Sequence, residues 1–343
     1  MAKPEKAGNR RSSRNRTQVS YLELDDVDNI SPEIDVVKLR NLIMQGEFEP
    51  LGDAILPADL TMTELRRTGF RKPYLVAQGR DVEETRKALG IRLPPFELTT
   101  HTIAENVGYE YPVNIVDVAT QGAGPKWTLG QWREYFYKPA KQRGRLLNVV
   151  SLELSGSKLA KMVAPPTVVC QLDLVNRVWP QDDPDKPQVL LYALMGVAGC
   201  VTDFHVDFGG SSVWYHMVSG KKVFLLVPPT DGNMELFENW SSGEEQLSVF
   251  YGNLAEGVMR VELQAGDTML IPSGWPHAVA TPVDSAIFCT GLTYPTSCSS
   301  GSWRSDWASD RYSGFPYTRQ QCGTQRGTTW RRSRQGAGVA KVA

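Results

Sequence analysis

Eight short apolar runs fill the second half of the chain, and their lengths and breaks suit strands better than helices. They are Val189–Val197, Phe204–Asp207, Val213–Val218, Lys222–Val227, Val258–Leu263, Thr268–Ile271, Ala278–Ala280 and Ser285–Phe288, separated by Gly, Pro and polar turns. Eight strands at this spacing predict a jelly roll or cupin-like barrel, whose mouth can hold a ligand. The texture before Val189 is mixed. Tyr74–Val76, Ile115–Val118 and Asn148–Leu152 read as strands. Thr128 caps a helix whose apolar residues Leu129, Trp132 and Phe136 recur at three- and four-residue steps. Ser157 predicts the cap of a helix burying Leu159, Met162 and Val163, and a further helix is predicted from Val168 to Trp179, ended by Pro180. The expected class is mainly β with flanking helices packed outside the barrel.

Composition narrows the function classes. Of 343 residues, 41% are apolar, ample for a core, and the net charge of −1 gives no global argument for a nucleic-acid or membrane partner. The ends differ from the middle. Lys3, Lys6, Arg10, Arg11, Arg14 and Arg16 precede acidic Glu23, Asp25, Asp26 and Asp28, and the stretch from Pro295 is basic without Leu, Ile or Met. Such ends read as disordered arms, open to a weak DNA contact or to plain solvation. The five cysteines (Cys170, Cys200, Cys289, Cys298, Cys322) form no C-x-x-C pair, so a zinc finger and a disulfide scaffold are disfavoured and a reducing compartment is expected. The polar start lacks the apolar core of a signal peptide, and no run has the length of a membrane span. A soluble intracellular protein is the expectation.

Two of the runs carry metal chemistry. One is Thr202-Asp203-Phe204-His205-Val206-Asp207, the other Ile271-Pro272-Ser273-Gly274-Trp275-Pro276-His277. Side chains two apart on a strand share a face, so His205 and Asp207 can reach one ion together while His277 adds an imidazole from another strand. Two His and one carboxylate leave coordination positions open, as in non-heme Fe(II) oxygenases; zinc or manganese suit the same ligands. Of the other two histidines, His101 lies in a polar helical stretch and reads as surface, and His216 reads as structural. An open Fe(II) site in such a barrel takes 2-oxoglutarate, which needs a cation for its far carboxylate. Lys222 on an apolar strand is that cation, because a buried ammonium calls for an anion. Lys221 beside it faces the other way. Thr202 and Tyr215 can add hydroxyl hydrogen bonds. The competing reading makes Lys222 an outward-facing strand residue.

The run from Thr202 to His216 resembles the core of JmjC-domain histone lysine demethylases, most of all the subfamily acting on lysine-36 of histone H3. Asp117-Val118 with Gln121, Trp132 with Tyr135, Asn148 to Glu153, Val223 to Thr230 and Ile271 to Val279 are similar too, from about Leu65 to Phe288. The resemblance implies a double-stranded β-helix. It implies Fe(II) on His205, Asp207 and His277, and 2-oxoglutarate held by Thr202 and Lys222 with Tyr215 and Asn148. It also implies O2 as co-substrate, and hydroxylation of a lysine N-methyl group that leaves as formaldehyde. Methylated histone H3 in the nucleosome is the implied partner and the nucleus the implied location. The implied organisation is an arm at 1–30, a helical and mixed part at 31–188, the barrel at 189–290 and a divergent tail at 291–343.

After Phe288 the likeness stops. The family continues with Gly-Gly-Asn and a Leu-His pair, whereas this chain reads Cys289-Thr290-Gly291-Leu292. A frame or splice change near Cys289 and a true divergent tail are the two readings. A protein hydroxylase and a non-catalytic chromatin scaffold are the competing functions.

Overall fold

The computed structural model describes residues 33–76, 81–173, 191–207, 211–243, 246 and 248–292. Both terminal arms, and the part of the expected Val168–Trp179 helix beyond Asp173, lie outside the described residues. In chain order the helices are α1 (Val36–Gln45), α2 (Met62–Thr68), α3 (Val82–Leu89), α4 (Thr100–Val107), α5 (Leu129–Phe136), α6 (Thr167–Leu172) and α7 (Asp231–Ser242). The strands are β1 (Glu49–Pro50), β2 (Tyr74–Val76), β3 (Pro112–Val113), β4 (Ile115–Asp117), β5 (Gly122–Ala123), β6 (Trp127–Thr128), β7 (Leu147–Glu153), β8 (Tyr192–Gly196), β9 (Val201–His205), β10 (Ser212–Leu226), β11 (Met259–Gln264), β12 (Thr268–Ile271) and β13 (His277–Leu292). No helix among the described residues is long and apolar enough to cross a membrane.

The mainly β expectation holds, with one change of plan. Runs that look like four separate strands are two long ones: Val213–Val218 and Lys222–Val227 lie in β10, and Ala278–Ala280 and Ser285–Phe288 in β13. Each bends at a corner, where the register between them shifts around Ser219 and Lys221. The first half of β10 pairs with β12 and the second half with β11. The first half of β13 pairs with β9 and the second half with β8. One layer therefore runs β2-β12-β10-β13-β8-β7-β4-β5, and the other β1-β11-β10-β13-β9, with β10 and β13 common to both. This is the double-layer solution by which a jelly roll protects its edges. The region before position 189 adds β1, β2, β4, β5 and β7 to the sheet itself.

Alternation sorts the side chains onto two faces. Val213, Tyr215, Met217, Phe224, Leu226, Val261, Leu263, Met269, Ile271, Val279 and Ile287 pack together inside the barrel. Trp214, Val223, Leu225, Ala278, Ala280 and Phe288 face the larger cluster shared with the helices. Thr128 caps α5 as expected, in a reciprocal pair with Gln131, and buries Leu129, Trp132 and Tyr135. Ser157 accepts from the Ala160 amide at 3.1 Å, but the turn it starts is a 3-10 turn, Ala160–Met162, not an α-helix. The next helix is one short piece, Thr167–Leu172.

The β10 corner turns on Gly220, which has φ +78, and a Cβ there would stand 2.3 Å from the Asp284 carbonyl oxygen. The β13 corner is held by Arg143, whose guanidinium meets Asp284 at 2.6 and 2.9 Å while the Ala198 amide donates to the same carboxylate at 2.6 Å. Gly220→Ala is expected to cost at least ~2 kcal/mol, since left-handed strain and a backbone clash add. Urea unfolding measures it; a loss under half that amount would contradict this account of the corner.

Candidate metal centre

The inner face of β13 carries His277 and Val279, which pair across the sheet with His205 and Thr202 of β9. Two steps along β13 thus span three along β9, a bulge at Asp203 and Phe204. The bulge turns both Thr202 and His205 inward, which strict alternation would forbid. Gln121 fixes it from outside the strand. Its amide donates to the Val118 and Val201 carbonyls at 2.7 and 3.1 Å, and its oxygen accepts from the Asp203 amide at 3.0 Å. Gln121 itself sits at φ +51 in the turn after β4. Gln121→Ala is expected to lower stability by about 1–3 kcal/mol, because a ladder amide loses its partner, and to weaken metal binding with it. Calorimetric melting with and without Mn(II) checks both effects; an unchanged Mn(II)-induced shift would remove the link to the site.

Ligand atoms of His205, Asp207 and His277 all lie within 4.8 Å of one another. His277 Nε2 stands 3.9 Å from Asp207 Oδ2, and the two imidazole rings are 4.2 Å apart at 52°. Asp207 lies two residues past the end of β9, so its approach comes from the turn and not from strand alternation alone. His277 Nδ1 is 3.0 Å from the Trp275 carbonyl and His205 Nδ1 2.9 Å from the Asp203 carbonyl. A carbonyl fixes the proton on Nδ1 and leaves the lone pair on Nε2. His277 Nε2 is fully buried and has no hydrogen-bond partner. Burial holds both imidazoles neutral, pushing each down to about 4, and pushes Asp207 up to about 6 against the opposing pull of His205 and a hydrogen bond from Tyr215. Neutral nitrogens with aimed lone pairs beside one acidic oxygen suit a divalent cation.

The remaining expected residues share the barrel interior. Lys222 is 4% exposed, and its Nζ donates to Thr281 Oγ1 at 3.2 Å. Burial brings this ammonium down to about 8. Lys221 points the other way and pairs with Glu262. Asn148 is buried on β7 with Nδ2 3.5 Å from Thr202 Oγ1, while its Oδ1 has no partner. Tyr215 contributes its hydroxyl to the Asp207 carboxylate, an outer contact to a candidate ligand. The thiol of Cys289, at the point where the likeness stops, lies within electrostatic reach of both Asp207 and Lys222. His101 is at the surface, taking a 2.8 Å hydrogen bond from Arg133. His216 is buried outside the centre, with Nδ1 2.9 Å from Thr268 Oγ1. Sequence reasoning missed Thr281 as a partner of Lys222. Its place before Pro282 reads as a turn, and only the β10–β13 register brings the two together.

The cupin-like domain family matches residues 164–294, a stretch that holds β8 to β13 and all three candidate ligands. The chain carries a cupin-like JmjC domain. It is 41% identical over 243 residues to lysine-specific demethylase 2A of Xenopus tropicalis, covering 67% of this chain and 20% of that protein. It is 39% identical over 287 residues to lysine-specific demethylase 2B of Mus musculus, covering 78% and 21%. It is 42% identical over 239 residues to JmjC domain-containing histone demethylation protein 1 of Yarrowia lipolytica, covering 66% and 46%. The chain thus spans from a fifth to under half of the length of these curated relatives.

Proposed function

We propose that this JmjC domain is an Fe(II)- and 2-oxoglutarate-dependent dioxygenase that removes methyl groups from a histone H3 lysine, with mono- or dimethylated lysine-36 as substrate. The observation that carries the reading is one barrel interior holding both a His205–Asp207–His277 cluster and a buried Lys222 ammonium whose partner is a neutral hydroxyl. Each half calls for the other's ligand. His205, Asp207 and His277 would hold the iron. Lys222, with Thr202, Asn148 and Tyr215, would hold 2-oxoglutarate. The bound iron, with O2 and 2-oxoglutarate, would supply the oxidising power to hydroxylate an N-methyl group, which leaves as formaldehyde.

The chain's own residues do the rest. The carbonyls of Asp203 and Trp275 keep the imidazole protons on Nδ1. Tyr215 orients the Asp207 carboxylate. The apolar wall of Phe224, Leu226 and Val279 excludes water. The names of the relatives favour a histone lysine as substrate, and the subfamily likeness of the Thr202–His216 run favours lysine-36. Action in the nucleus, with weak DNA contact through the basic arms, belongs to the same reading.

The test incubates purified protein with Fe(II), 2-oxoglutarate and methylated H3 peptides, following peptide mass and formaldehyde. Loss of CH2 units with formaldehyde supports demethylation, with the lysine-36 peptide turning over fastest. A stable gain of oxygen would move the assignment to a protein hydroxylase. Peptide binding without turnover would move it to a scaffold.

A further inference from the structure

Gly196 ends β8 beside Asn148, its direct partner on β7. Tyr192 and Leu194 of β8 pack against the interior cluster, so alternation turns the Gly196 position to the same face. A Cβ built there would lie 3.0 Å from Asn148 Oδ1, 3.3 Å from Thr281 Oγ1 and 3.4 Å from Thr281 Cγ2. Those two side chains are the polar floor under Lys222: Thr281 Oγ1 accepts a hydrogen bond from its ammonium at 3.2 Å, and Asn148 Oδ1 is buried without a partner. Missing volume at Gly196 therefore lies against a cradle built of one ammonium, one hydroxyl and one amide, all nearly sealed from solvent.

We propose that Gly196 and Thr281 set the length of the ligand this barrel accepts, Thr281 by aiming the Lys222 ammonium and Gly196 by leaving room at the floor for the far carboxylate of a keto diacid. The inference rests on the 2-oxoglutarate reading above and adds a measure of reach to it. The physical argument is steric and directional. An added methyl at 196 must displace Asn148 or Thr281, since both would stand within 3.4 Å of it. Either movement shortens the space in front of Lys222. Loss of the Thr281 hydroxyl acts differently. It releases the ammonium from its hydrogen bond to the residue-281 side chain and leaves the space intact.

The experiment is titration calorimetry of the full chain loaded with Mn(II), a redox-quiet stand-in for iron, with oxaloacetate, 2-oxoglutarate and 2-oxoadipate. The wild type is expected to prefer 2-oxoglutarate. Gly196→Ala is expected to lose ~10-fold or more in affinity for 2-oxoglutarate and more for the longer 2-oxoadipate, and to shift its preference toward oxaloacetate. Thr281→Val is expected to weaken all three ligands together, and Thr281→Ser to restore them. Mn(II) affinity, read by electron paramagnetic resonance, should stay at the wild-type value in each variant and so report an intact fold. If the wild type binds none of the diacids, the 2-oxoglutarate reading itself fails. If the wild type binds them but Gly196→Ala keeps its ranking of lengths, or Thr281→Ser fails to rescue, this inference alone is overturned.

Discussion

Asp207→Ala is expected to abolish turnover and to weaken Mn(II) or Fe(II) binding by more than ~100-fold. The arithmetic of charge decides the size. His205 and His277 are neutral, held down to about 4 by burial, so Asp207 supplies the negative charge of the ligand set. Two imidazoles alone leave a divalent ion with its charge uncompensated in a low-dielectric interior. The metal-free protein should respond in the opposite sense. Burial is the largest influence on Asp207 and raises it to about 6, so the carboxylate is a burden on the empty fold. Asp207→Ala should therefore match or exceed the wild-type melting temperature without metal, and lose the metal-induced rise. Metal affinity within tenfold of wild type would remove Asp207 from the ligand set.

Lys222→Met should show the same divergence between stability and function at the other end of the barrel. Affinity for 2-oxoglutarate is expected to fall by ~100-fold or more, because a buried charge pair is lost. Without the anion, the variant should be more stable than the wild type near neutral pH. The pH dependence has a definite sign. Burial lowers the ammonium from its ordinary 10.5 to about 8 in the folded chain. Between those values the unfolded chain holds the extra proton, so stability of the anion-free wild type rises as pH climbs from about 8 to about 10.5. The rise is of order 3 kcal/mol at most. Methionine should flatten that slope. Urea midpoints across this range measure it, and a slope that persists in Lys222→Met would show that another group is responsible. Affinity for 2-oxoglutarate should decline in alkali as the ammonium discharges.

The grouping of the three candidate ligands was legible in the linear chain because it depends on residue type and short spacing. His205, Asp207 and His277 stand out among four histidines, and the apolar neighbours of Lys222 point to burial. The strand inventory was legible, but its continuity was not. Gly220 and Pro282 look like ends of strands, yet they are corners within β10 and β13, where register and sheet twist carry the chain through the break. Residues that act across the sheet stayed hidden for the same reason. Thr281 and Gly196 matter because pairing places them against Lys222 and Asn148. Gln121 belonged to a resembling motif, but its grip on the β9 bulge is a long-range set of hydrogen bonds with no local signature. The helix expected after Ser157 failed on local grounds, since the capping hydroxyl starts a turn that Val163, extended at φ −107, ends.

Because β10 and β13 each run through both layers, neither layer can separate from the other without breaking backbone ladders in both. Loosening that starts in one layer must propagate to the second. Amides along the centres of these two strands should exchange with deuterium only through whole-domain opening, while those of the two-residue strands β1 and β5 exchange through local fraying. A ligand anchored to β13 at His277 and to β10 at Lys222 would then slow exchange across the entire barrel, well beyond the residues it touches.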